Sequence, residues 1–169
     1  MRTIFGIGAT AALALGATLA AATPAYADDR ICRGTVGAVS IGDNVKVPAG
    51  ATCVLNGTRI DGNVIVNRNA TLRATAARVD GNIQSEGHRV VAVQRSSVDG
   101  SIQLKQGGGM TLVGNRVGGD IQVFSNTKGT KTIRGNVIDG NLQCKANRPA
   151  PVGGGNRVEG NKEDQCRRL

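Results

Sequence analysis

The sequence predicts an all-β chain wound as a right-handed parallel β-helix, a solenoid of roughly seven coils of about 20 residues each. Three observations carry this. Seven glycines, Gly42, Gly62, Gly81, Gly100, Gly119, Gly140 and Gly160, recur at steps of 20, 19, 19, 19, 21 and 20 residues. Around them apolar and polar residues alternate with the period of two that marks a strand. The four cysteines fall into two pairs, Cys32 with Cys53 and Cys144 with Cys166, each separated by about one such step.

At the start of the chain stands an export address. Met1-Arg2 is basic, Ile4 to Ala22 is an apolar run rich in Ala and Leu, and Ala25-Tyr26-Ala27 has the small-x-small form of a cleavage site. We expect residues 1–27 to be a signal peptide removed after Ala27, leaving 28–169 as a single β-solenoid domain with no membrane segment. No twin-arginine pair precedes the apolar run, so export of the unfolded chain is expected. The secreted or extracellular location that follows is one where disulfides persist. Losing Arg2 takes the net charge from +9 to +8.

Each repeat then reads in order. Two residues before the glycine stand Ile60, Val79, Val98, Val117, Ile138 and Val158; two after it stand Val64, Ile83, Ile102, Ile121 and Leu142; four after it stand Val66, Ser85, Leu104, Val123 and Cys144. These share one parity and should face inward. A second apolar stripe, Leu72/Ala74, Val91/Val93, Met110/Leu112 and Ile133, precedes the next glycine by nine and seven residues. Every coil therefore needs at least two strands. Turn-formers separate them, among them Asn69, Gly87, Gly107-Gly108-Gly109, Gly114-Asn115 and Gly135-Asn136. The repeat glycines suit a bend or a close approach to a neighbouring wall.

Residues stacked one coil apart lie about 5 Å apart, within the reach of a disulfide. The expected bonds are Cys32–Cys53 and Cys144–Cys166, stapling the two terminal coils, each worth about 3 kcal/mol in the chain-entropy account. No zinc-type Cys-x-x-Cys spacing occurs, and no metal or cofactor is expected.

Composition narrows the function. There are two Phe, one Tyr and no Trp; Phe5 and Tyr26 fall in the expected leader, so Phe124 alone remains. One ring cannot build the stacking platforms of sugar-binding clefts or single-strand nucleic-acid grooves, and no specific nucleic-acid recognition is expected. Arg59, Arg78, Arg116 and Arg157 form one outward row, and Asp61, Asp80, Asp99, Asp139 and Glu159 form the next. Such rows can pair along and across coils. Read as chemistry, stacked carboxylates suit an acidic-polysaccharide hydrolase or lyase; read as structure, they are a charge-compensated face. Their regularity favours structure, because a catalytic pair needs two distinct environments. Gln84, Gln103, Gln122 and Gln143 make an amide column, as do Asn63, Asn82, Asn141 and Asn161. His88, the sole histidine, falls at a turn.

Carrying Gly140-Asn-Leu-Gln-Cys-Lys145, Pro149-Ala-Pro-Val-Gly-Gly-Gly155 and Gly160-Asn-Lys-Glu-Asp-Gln-Cys166, the chain resembles a group of small secreted proteins frequent in actinobacteria. Its repeats are also similar to those of bactofilins, polymer-forming β-solenoids, which implies a structural role. Signal and cysteines depart from that family's cytoplasmic pattern. The expected function is a secreted, non-catalytic structural or surface-interaction protein. The alternative is a binding module for extracellular polyanions such as cell-wall or acidic polysaccharide or nucleic acid, with Lys105, Lys128, Lys131, Lys145, Arg148, Arg167 and Arg168 as contacts. Self-association through open strand edges is a further expectation, opposed by the staples and the polar segment Lys162-Glu-Asp-Gln165.

Overall fold

The computed structural model describes residues 29–169. The expected leader and its cleavage after Ala27 lie outside the described residues. Twenty-two short strands wind into a parallel β-solenoid of about seven coils, and three sheets of eight, seven and seven strands form its walls. One coil shows the plan. Ile83–Glu86 lies in the first sheet, Val90–Gln94 in the second and Ser97–Val98 in the third. Each pairs in parallel with the strands one coil below and one coil above.

The alternation read from the sequence is the inside-outside pattern of the fold. Val64, Ile83, Ile102, Ile121 and Leu142 stack in one register and are fully buried. So do Ile60, Val79, Val98, Val117 and Ile138 on the third sheet. Leu72, Val91 and Met110 complete the interior from the second. Ser85 is the polar member of an inward column, and its hydroxyl donates to the Val66 carbonyl at 2.8 Å. The third strand of each coil is only two residues long, too short to show an alternation of its own.

Two of the three corners turn through left-handed residues. Gly50, Asn69, Gly87, Gln106, Ser125, Ala146 and Asp164 have positive φ at the first corner, as do Gly57, Ala76, Arg95, Gly114, Gly135 and Gly155 at the second. The residue after each points inward or stacks on its neighbour's amide. At the second corner Asn115, Asn136 and Asn156 form a buried ladder: Asn115 Nδ2 donates to Asn136 Oδ1 at 3.0 Å and Asn136 Nδ2 to Asn156 Oδ1 at 2.9 Å. Asn126, Asn147 and Gln165 repeat the device at the first corner.

The third corner is the one marked by the repeat glycines. A Cβ on Gly81 would sit 2.7 Å from Asn63 Oδ1 and 2.7 Å from the Gly62 carbonyl oxygen, so glycine answers a close backbone approach. Beside it the expected amide column is real: the Asn82 amide donates to Asn63 Oδ1, and the Asn63 amide to Asn44 Oδ1. Ser101 and Asp120 continue the column where Asn is missing.

Both expected disulfides are formed. Cys32–Cys53 and Cys144–Cys166 have Cα separations of 5.5 and 5.3 Å and lie near the two ends of the rod. Beyond Cys166 the chain turns back so that Leu169 joins the core.

Candidate polyanion-binding edge

Charge is distributed unequally around the rod. On the third-sheet side Arg59, Arg78 and Arg116 pair with the Asp row as the spacing predicts, while Arg157 and Glu159 form no ion pair among the described residues. Arg59 pairs with Asp61 at 3.1 Å and with Asp80 one coil on at 2.9 Å; Arg78 pairs with Asp80 at 3.2 Å and Asp99 at 3.5 Å. Arg116 reaches Asp139 at 3.2 Å. The Asp61 hydrogen bond, backed by the Asp80 charge, raises the Arg59 guanidinium above its ordinary value.

The first corner, where the first and second sheets meet, is different. Lys105, Lys128, Lys145 and Arg148 are exposed there, and none forms an ion pair among the described residues. Register places Glu86, Lys105 and Phe124 on successive coils, with Lys145 next. Lys105 Nζ stands 6.0 Å from the centre of the Phe124 ring. Arg68 and Arg89, absent from the sequence-derived contacts, occupy the same edge and are exposed. Their signal was available, since neither belongs to the Arg row that faces the carboxylates. Arg89 is held across the second sheet by hydrogen bonds to Thr71 Oγ1 at 3.0 Å and Thr52 Oγ1 at 3.4 Å. Arg167 and Arg168 are exposed in the last turn, at the end of the rod.

Two depressions flank this edge. One, of about 460 Å³, lies over the first sheet among Arg68, Gln84, Glu86, Gln103 and Lys105. The other, of about 620 Å³, is walled by His88, Arg89, Gly107-Gly108-Gly109 and Lys128-Gly129-Thr130. Amides, hydroxyls and cations line both, and the first also holds the Glu86 carboxylate.

Lys131 corrects the sequence reading. It was expected on the binding surface, yet its exposure is 0 %. It pairs with Met110 in register and so occupies the inward stripe, nine residues before Gly140 as Met110 is before Gly119. Its ammonium donates to three backbone carbonyls, those of Lys128 at 3.1 Å, Gly129 at 2.9 Å and Arg148 at 2.7 Å. Burial pushes this amine below its ordinary pKa. The three carbonyls meet the requirement that a buried cation be hydrogen-bonded.

His88 is also internal, with 2 % exposure, and neither ring nitrogen has a hydrogen-bond partner. It follows the left-handed Gly87 and takes the inward place that Ala70 holds one coil earlier. Gly107 makes room for it: a Cβ there would overlap the imidazole. Burial, reinforced by the Lys131 charge, pushes His88 down to about 4, so the ring is neutral at pH 7.

Among the described residues no group of three metal-ligating side chains occurs, and no helix is long and apolar enough to cross a membrane. Neither a protein-family model, nor a curated protein, nor a solved structure matches this chain. The fold is an all-β parallel solenoid.

Proposed function

We propose that this chain is a secreted, non-catalytic β-solenoid that serves as a rigid surface-interaction scaffold and binds extracellular acidic polysaccharide along its basic first-corner edge. One observation carries the reading: carboxylates engage Arg59, Arg78 and Arg116 on the opposite face, while at the first corner Arg68, Arg89, Lys105, Lys128, Lys145 and Arg148 gather without ion pairs among the described residues. Lys105 and Lys145 stand two coils apart in one column with Phe124 between them, about 10 Å along the edge, a spacing that suits a polymer of regularly placed charge. The flanking Gln, Asn and Thr side chains offer hydrogen bonds to hydroxyls, which favours an acidic sugar polymer over a base-bearing one. The single ring, Phe124, supports the same choice, because bases are held by stacking.

The non-catalytic part rests on the engagement of the carboxylates. Asp80 receives two arginines and Asp61, Asp99 and Asp139 one each, so each of these carboxylates is already engaged by a guanidinium rather than directed at a bond to be cleaved. The test is binding of polygalacturonate by the mature protein across a salt series. With six cations engaged the log–log slope should be on the order of −4. Replacing Lys105, Lys128 and Arg148 by Ala should bring it to about half, while replacing Arg59 and Arg78 should leave it unchanged. Equal losses from both sets would overturn the edge. New reducing ends that form with wild type and vanish in Asp80→Asn would overturn the non-catalytic reading.

A further inference from the structure

Lys131 links two parts of the edge that are far apart in sequence. Its buried ammonium holds the carbonyls of Lys128 and Gly129, in the turn that walls the larger depression, and that of Arg148 on the next coil. Lys128 and Arg148 are both exposed cations of the edge. The turn that carries Lys128 belongs to the longest glycine step, 21 residues between Gly119 and Gly140, so it is the place where the coil has extra backbone to hold. In the two preceding coils the inward site is filled by Val91 and Met110, which carry no donor. An apolar side chain therefore satisfies the packing, and the ammonium does something more.

We propose that Lys131 is a positioning residue for polysaccharide binding: by gripping those three carbonyls it fixes the turn and the next coil so that Lys128 and Arg148 converge on one acidic sugar unit at the depression. This rests on the edge being the binding surface. Being fully buried, Lys131 makes no contact with ligand. Its effect runs through ordering: two cations already held in place lose less conformational freedom when the polymer arrives.

The variant is Lys131→Met, which places in this coil the residue of the coil before. Folding is checked by circular dichroism and thermal midpoint, with Lys131→Gln as the second variant, since its amide can still donate to the carbonyls. Polygalacturonate should bind Lys131→Met about tenfold more weakly, with a salt slope shallower by about 1.4, the loss of two contacts. Lys131→Gln should recover part of the affinity. In a Lys128→Ala/Arg148→Ala background, Lys131→Met should change affinity less than twofold, because its partners are gone. An additive loss in that background would mean that the buried charge acts at long range, and would overturn positioning. Wild-type affinity in Lys131→Met would overturn it while leaving the edge intact. Unfolding of both variants would assign Lys131 to the core alone and overturn it too. Absence of wild-type binding at low salt would instead overturn the edge, and this proposal with it.

Discussion

Single residues inside the rod differ sharply in what they tolerate. Val98 is fully buried, whereas Gln103, around the next corner in the first sheet, keeps an outward face. Val98→Asp would bury an unpaired carboxylate and should unfold the domain, while Gln103→Lys should shift the thermal midpoint little. Equal midpoints for the two would overturn the inside-outside assignment. His88 makes a second prediction. A base whose folded pKa, about 4, lies below its ordinary 6.5 takes up a proton on unfolding. Stability from this group is therefore complete above about pH 6.5 and is lost as pH falls toward 4, by about 3 kcal/mol. His88→Asn, the residue type that the same column uses at Asn126, should flatten that window relative to wild type in denaturant titrations at stepped pH. Parallel curves for the two proteins would contradict it.

At the scale of elements, the corners carry more than the surface ladders. Asn136 donates to Asn156 Oδ1 and to the Leu112 carbonyl, and its Oδ1 accepts from the Asn115 amide and side chain. Asn136→Ala strands several buried groups and should cost about 3 kcal/mol. Asp80→Asn breaks pairs at the surface and should cost less than about 1 kcal/mol. Urea midpoints of the two variants measure the difference, and a reversal of their order would refute the weighting. The terminal coils have a neighbour on one side only. Replacing Cys144 and Cys166 by Ser should cost about 3 kcal/mol and expose the amides of Lys162–Asp164 to exchange before those of Ile102–Lys105.

For the whole molecule, a parallel solenoid is a stack with two open ends. Ile31 and Val39 at one end and Val152 near the other are its exposed large apolar residues among the described ones. The staples, the charged strand Lys162–Asp164 and the turn that returns Leu169 to the core leave little flat apolar edge for a second copy. The expected species is a monomer across micromolar concentrations by light scattering. A mass that rises with concentration would show that the ends associate.

The coil number, the strand parity and both disulfides were legible in the sequence because a solenoid repeats its contacts at fixed spacing, so each residue's environment is that of its counterpart one step away. Gly42 to Gly160, Val98 with Ile102, and Cys144 with Cys166 all follow from that rule. Lys131 obeyed it too, since its place nine residues before Gly140 already marked it as inward; its charge alone had suggested the surface. The left-handed corners were only half legible. Gly57 and Gly114 advertise a turn, but Ala76, Arg95, Gln106 and Ser125 take the same conformation and carry no such mark, because stacking on the neighbouring coils, not local preference, holds them there. The basic edge was decided by tertiary structure. Arg68, Arg89, Lys128 and Arg148 come together only when the chain is wound, for charge convergence depends on which columns share a corner and which carboxylates the opposite face has already engaged.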